Sequence, residues 1–276
     1  MDILTARKLN NGVDMPMLGL GVFQSSVGEE TVQAVQWALE SGYRHIDTAT
    51  AYRNEDSVAE GIKRSGIKRE DIFITTKLNN PDQRADAQEQ AILNSLKNLR
   101  TDYIDLYLIH WPVAGKYVQS WQIMEKYYKK GAIRAIGLSN FHDHHIDDIL
   151  AIADILPTVD QIELHPRLTQ VALRAKCDAH DIAVEAWSPL GGGGTQLVYN
   201  ETLSAIGEKY NKSGAQVILR WDLQSRIITI PKSVHKERIA QNADIFDFEL
   251  TAQDMAAIDA LNENTRVGAD PENFNF

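Results

Sequence analysis

Asp47, Tyr52, Lys77 and His110 are side chains whose types suit one piece of chemistry. A free tyrosine titrates near ~10, too high to give a proton readily and take it back near neutrality. An ammonium beside it stabilises the phenolate and lowers that value. Lys77 can supply the ammonium, and Asp47 can hold Lys77 charged and oriented. His110 can then hydrogen-bond a carbonyl oxygen or help relay the proton. The four contain no cluster of carboxylates, so the set points to proton transfer rather than metal chemistry. Singly, each also fits a structural role: a buried ion pair, a packing tyrosine, a satisfied core histidine. What distinguishes them is where they fall along the chain.

They fall where β-rich runs end. Such runs occupy 18–22, 43–48, 72–77, 104–110, 132–139, 159–163, 183–187 and 226–230. Helical patterns fill the gaps at 29–41, 55–65, 85–99, 119–130, 146–154, 170–180, 201–210 with 215–224, and 236–243. The first of these places Val32, Val35 and Leu39 on one face, with Ala34 and Ala38 beside them. Strand and helix recur at roughly 30 residues, the size of a βαβ unit. Eight units without a break predict an α/β fold, a closed (β/α)8 TIM barrel spanning 1–276 as a single domain. The alternative, an open doubly wound sheet, would want a glycine fingerprint near its first strand. Asn11-Gly12 is a two-residue hairpin-turn signal, so an N-terminal β-hairpin is expected to close the bottom of the barrel. Residues 251–261 read as a further helix, and 262–276 as a polar loop with late aromatics, Phe274 and Phe276.

In such a barrel the active site lies at the C-terminal ends of the strands. The second strand ends at Asp47, with Tyr52 in the loop five residues on. The third ends at Lys77, the fourth at His110 and the fifth at Ser139-Asn140. The seventh ends at Trp187-Ser188, the eighth at Lys232-Ser233.

The composition narrows the class. The chain has 276 residues, 43% hydrophobic and 24% charged, with a net charge of −10. That is ordinary globular composition and argues against long disorder and against nucleic acid as the main partner. No apolar stretch is long enough to span a bilayer, and no export signal opens the sequence. One cysteine, Cys177, cannot make an internal disulfide, which fits a reducing compartment, so a cytoplasmic protein with no membrane partner is expected.

The chain resembles the aldo-keto reductases. The likeness is carried by Gly42-Tyr43-Arg44-His45-Ile46-Asp47-Thr48-Ala49, Tyr52-Arg53-Asn54-Glu55, Ile74-Thr75-Thr76-Lys77-Leu78 and Asp105-Leu106-Tyr107-Leu108-Ile109-His110-Trp111-Pro112. Ile136-Gly137-Leu138-Ser139-Asn140-Phe141 and Ile230-Pro231-Lys232-Ser233 extend it, so that it covers the whole chain. The short loop after Trp111 and the short tail look like bacterial members, with the 2,5-diketo-D-gluconate reductase group the closest likeness. The resemblance implies Tyr52 as general acid, Asp47 and Lys77 as its tuning pair, His110 as the carbonyl-orienting residue, and a monomer.

A cofactor site can also be argued from residues. Gly19-Leu20-Gly21 lacks the third glycine of a dinucleotide fingerprint, because Gln24 stands there, and reads as a tight strand end. The run Gly191-Gly192-Gly193-Gly194 fits either a pyrophosphate cradle or a flexible loop. Lys232, Ser233 and Arg238, with Val234 between, make an anion site at a helix N-terminus after the eighth strand. An arginine beside the adenosine ribose favours a 2′-phosphate, and so NADPH over NADH. The resemblance adds Gln241 and Asn242 as adenine contacts, and Ser139, Asn140 and Gln161 as holders of the carboxamide. It puts a ring that stacks on the nicotinamide at Trp187, with Ser188 and Leu190 beside it.

Phe23 and Trp111, with Tyr52 and His110, are expected to line an apolar mouth for a small carbonyl substrate. Many animal members carry an aromatic residue where Asn79 stands, so a more open and polar pocket is expected. His142-Asp143-His144-His145 sits at a helix start, with Asp143 a candidate cap, and no metal is expected there. Cys177 reads as a bystander on a helix. These readings converge on an NADPH-dependent carbonyl reductase. The rivals are an NADPH-binding redox sensor without turnover and a metal-dependent barrel hydrolase. The intact quartet argues against the first. The second would want His-x-His after strand one, where Gly21-Val22-Phe23 stands.

Overall fold

The computed structural model describes every residue except 193–195. Ten strands are formed among the described residues. β1 (Ala6–Lys8) and β2 (Asp14–Pro16) pair antiparallel. β3 (Leu20–Gly21), β4 (His45–Asp47), β5 (Phe73–Leu78), β6 (Ile104–Ile109), β7 (Ile133–Ser139), β8 (Val159–Glu163), β9 (Ala183–Trp187) and β10 (Ile228–Thr229) form one parallel sheet. Each strand pairs with the next in sequence. The sheet then closes on itself. Leu18 bridges Thr229 and Gly21 bridges Lys232, and Gly19 N donates to Thr229 O at 2.9 Å. A Cβ at Gly21 would stand 2.9 Å from Ile230 O, so the seam itself requires glycine. The Gly-Leu-Gly segment is thus a strand end packed against its neighbour.

The N-terminal hairpin covers the barrel floor, as expected, though its turn is longer than two residues. Leu9 N donates to Val13 O at 2.8 Å, and Gly12, at φ 85°, completes a three-residue loop over Asn10 and Asn11. Asn10 donates to Pro157 O, Asn11 to Arg134 O and Arg7 to Arg226 O, all at or just before the starts of barrel strands. Met15 is fully buried beneath them.

Helices follow the strands and lay their apolar stripes on the barrel wall. The pattern at 85–99 divides into Asn80–Arg84 and Gln88–Asn98. Pro81 starts the first early, and Asp86, at φ 54°, breaks the chain between them. The helix expected at 146–154 runs Asp143–Leu150 instead, with His142 rather than Asp143 at the cap position. Cys177 is buried in the core, not on a helix surface. Burial pushes its thiol well up, which leaves it unreactive.

Candidate active site

Asp47 ends β4, Lys77 lies near the end of β5, and His110 follows β6. Tyr52 closes a single helical turn, Thr50–Tyr52, held from behind by Asn54. The buried Asn54 amide donates to Val22 O at 3.0 Å and accepts from Thr48 Oγ1 at 2.8 Å. The ammonium of Lys77 has three kinds of partner. It donates to Asp47 Oδ1 and Oδ2 at 2.7 and 2.8 Å, to Thr48 O at 2.9 Å, and to Tyr52 Oη at 3.4 Å. Tyr52 therefore accepts from Lys77, and its own O–H remains available to donate.

The electrostatics differ from the simple expectation in one sign. Burial raises the Tyr52 phenol above its ordinary value, and the downward pull of Lys77 only partly offsets it. Burial also works against charge on Lys77, but Asp47, Tyr52 and Glu185 hold its pKa above the usual lysine value. Burial pushes Asp47 up against the pull of Lys77 and Gln161. Burial, with Lys77 adding to it, takes His110 well below the usual imidazole value. His110 is therefore neutral, with an N–H to give. Its ring stands edge-on to Tyr52 at 5.7 Å between centroids.

Beside this quartet lies a polar belt. Trp187 Nε1 donates to Asn140 Oδ1 at 2.8 Å. Asn140 Nδ2 donates to His110 O at 2.9 Å and Ser139 Oγ at 3.1 Å, and Ser139 Oγ donates to Gln161 O at 3.0 Å. Gln161 Nε2 donates to Asp47 Oδ2 and to Glu185 Oε2, each at 2.8 Å. Sequence reasoning missed Glu185. Its signal was a carboxylate inside a β-rich run, two residues from Trp187 and so on the same face. Burial and the neighbouring Asp47 lift Glu185 to about 8. Burial, with Lys77, drops the adjacent His45 to about 3.

The residues after β10 lie at the rim. Lys232, Arg238 and Gln241 are exposed, and among the described residues their side chains make no hydrogen bond or ion pair, whereas Lys236 faces Glu40 at 3.6 Å. Ser233 and Asn242 are buried, and Val234 is half-buried. Ser188, at φ 49°, turns the chain from Trp187 towards half-buried Leu190. Gly191 and Gly192 have positive φ, and Gly193 and Gly194 lie outside the described residues.

The mouth carries the aromatic side chains expected of it, and the C-terminal tail adds two more where Asn79 in the sequence predicts a more open and polar pocket. Phe23, 55% exposed, lies against Tyr52 with ring centroids 5.0 Å apart and the planes tilted by 50°. Trp111 is covered by Phe274 and Phe276, each 5.1 Å away. The tail is anchored along its length. Buried Glu163 accepts from Val267 N and Gly268 N, and Phe276 O accepts from Asn80 Nδ2 and Arg84. A Cβ at Gly268 would come within 2.3 Å of the Trp187 ring, so glycine lets the tail lie against it. Asn79 accepts from Asn80 N and caps a helix. His144, His145 and Glu272 bring one ligand atom each within 4.8 Å of one another. His145 Nδ1, though, already accepts from His142 N at 3.2 Å.

Fold and site together define a class: a (β/α)8-barrel enzyme with its polar cluster at the C-terminal rim of the strands. The Aldo/keto reductase family model matches residues 17–263, and the chain belongs to that family, as an NAD(P)-dependent oxidoreductase acting on carbonyl groups. Glyoxal reductase of Bacillus subtilis (strain 168) is 54% identical, covering 98% of this chain and 97% of that protein. Methylglyoxal reductase DkgA of Escherichia coli (strain K12) is 44% identical, covering 98% of each. Among solved structures, a Bombyx mori aldo-keto reductase in complex with NADP has a TM-score of 0.91 at 40% identity, covering 99% of this chain and 97% of that one. No helix among the described residues is long and apolar enough to cross a membrane.

Proposed function

We propose that this chain reduces small aldehydes and ketones to alcohols with NADPH, and that Tyr52 is the proton donor. The observation that carries the reading is the reach of Lys77 to Tyr52 Oη, 3.4 Å away, while Asp47 and Thr48 hold its other N–H groups. NADPH, when bound, supplies the hydride. Tyr52 gives its proton to the substrate oxygen. Lys77 stabilises the phenolate left behind, and Asp47 keeps Lys77 charged and aimed. Neutral His110 donates an N–H to the same oxygen and orients it.

The residues present fit the cofactor. Gln161 gives both N–H groups of its amide to Asp47 and Glu185 and keeps a carbonyl oxygen that makes no hydrogen bond among the described residues, and with Ser139 and Asn140 it would hold the carboxamide. Ser188 and Leu190 would flank the ring. Lys232 and Arg238 are cations with no ion-pair partner among the described residues, beside a helix N-terminus, where a phosphate is favourable. With Ser233, Val234, Gln241 and Asn242 they would hold the adenosine end.

Small dicarbonyls are the leading substrate class. The names of the Bacillus and Escherichia relatives support it, as does a mouth narrowed by Trp111, Phe274 and Phe276. The same reading has the protein working as a monomer in the cytoplasm. The test is NADPH oxidation across glyoxal, methylglyoxal, simple aldehydes and 2,5-diketo-D-gluconate, with Tyr52→Phe as control. Tight NADPH binding with no turnover on any of these would favour a redox sensor and sink the reductase.

A further inference from the structure

Gln161 is gripped from two sides. One N–H of its side-chain amide goes to Asp47 on β4 and the other to Glu185 on β9, each at 2.8 Å. All three residues are buried. The reverse orientation of the amide would set its carbonyl oxygen against the Asp47 carboxylate, which already accepts from Lys77 and has no proton to give, so Asp47 fixes which end is which and Glu185 takes the second N–H. The carbonyl oxygen of Gln161 is thereby left as the acceptor.

The groups facing Glu185 are few. Asp47, Lys77 and Tyr52 lie on the side of the proton donor, and His45 Nε2 stands 3.7 Å from Oε1. His45 is neutral and already bonded to Thr75 Oγ1 at 3.0 Å. Lys77 makes its bidentate bond to Asp47, not to Glu185. Glu185 is therefore protonated near neutrality and adds an acceptor for Gln161 without competing for Lys77.

We propose that Glu185 is a positioning residue: with Asp47 it locks the Gln161 amide so that its carbonyl oxygen receives an N–H of the nicotinamide carboxamide. The proposal rests on the cofactor site proposed above. One chain of hydrogen bonds, Tyr52–Lys77–Asp47–Gln161–Glu185, then joins the proton donor to the residue that holds the cofactor's reactive ring.

The test compares NADPH with its 3-acetylpyridine analogue, in which a methyl ketone replaces the carboxamide and removes the N–H donor. Dissociation constants come from tryptophan-fluorescence titrations of the full chain. Glu185→Leu should weaken NADPH by ~3–10-fold, the worth of one neutral hydrogen bond. It should change the analogue by less than ~2-fold, because the analogue never made that contact. Glu185→Gln keeps an acceptor for the Gln161 N–H and should restore NADPH binding. Glu185→Ser, too short to reach Gln161, should behave as leucine does and answers the question if the leucine variant fails to fold. Equal weakening of both dinucleotides, or none, overturns the proposal while leaving the reductase standing. A wild-type chain that binds neither dinucleotide overturns the cofactor site and this proposal together.

Discussion

The two ends of the proposed site are built on opposite principles. At the barrel centre Lys77, Asp47, Gln161 and Glu185 are buried and bonded to one another. At the rim Lys232 and Arg238 are exposed and make no bond among the described residues. An unpaired charge in the interior costs several kcal/mol, so the protein must complete that network itself. A solvated surface cation costs little while it waits, because water serves it. The buried end is thus rigid and sets protonation. The rim has charge in reserve for an anion that arrives from outside. Substitutions at the first should change rates and pH profiles, and those at the second should change affinity.

The largest expected effect is at the centre. Tyr52→Phe should lower kcat by ~10²–10⁴-fold, the range of a lost general acid, with NADPH affinity nearly unchanged. A variant keeping a tenth of wild-type turnover would remove Tyr52 from that role. Lys77→Met withdraws the charge that opposes the effect of burial on Tyr52. Alcohol oxidation, which needs the phenolate, should shift its pH profile upward by ~1–3 units, or ~10–1000-fold at fixed neutral pH. An unmoved profile would mean that Lys77 serves packing alone.

At the rim, Arg238→Ala should weaken NADPH by ~10–100-fold through loss of one charge-assisted contact, and NADH much less. Equal losses would show that Arg238 holds something common to both, and the contrast between the ends would blur. A further effect falls on stability rather than on rate or affinity. An unfolded glutamate titrates near 4.5 and Glu185 at about 8, so the folded chain holds an extra proton between those values. Wild type should therefore lose stability as pH rises through that window, and Glu185→Gln should not. The difference in Tm should grow in favour of the variant from about pH 5 to about pH 8, then level off. A constant difference in thermal melts would mean that Glu185 is ionised throughout.

The quartet was legible because each member follows or ends a β-rich run, and strand order puts such ends on one rim. The strand–helix rhythm likewise reports the barrel, even where β3 and β10 shrink to two residues each. What escaped were features set by contacts between distant segments. The hydropathy pattern at 85–99 does not show that Asp86 adopts a left-handed conformation. The tail reads as polar loop because its partners, Glu163, Trp111 and Arg84, come from three other places in the chain. The net direction of the Tyr52 shift depends on how deeply the ring is buried, which a list of neighbouring charges does not contain.

The closing seam has a consequence for how the chain is made. Every other pairing in the barrel joins neighbours in sequence, but Leu18 must wait for Thr229, more than two hundred residues later. At ~5–20 residues per second on a ribosome, that wait lasts roughly 10–40 s. Throughout it the outer side of β3 is an open edge, the kind of template on which nascent chains aggregate. Leu20–Gly21 is two residues long and so offers few free backbone groups to a stranger. The shortness of the first strand keeps that edge unattractive until its own partner emerges.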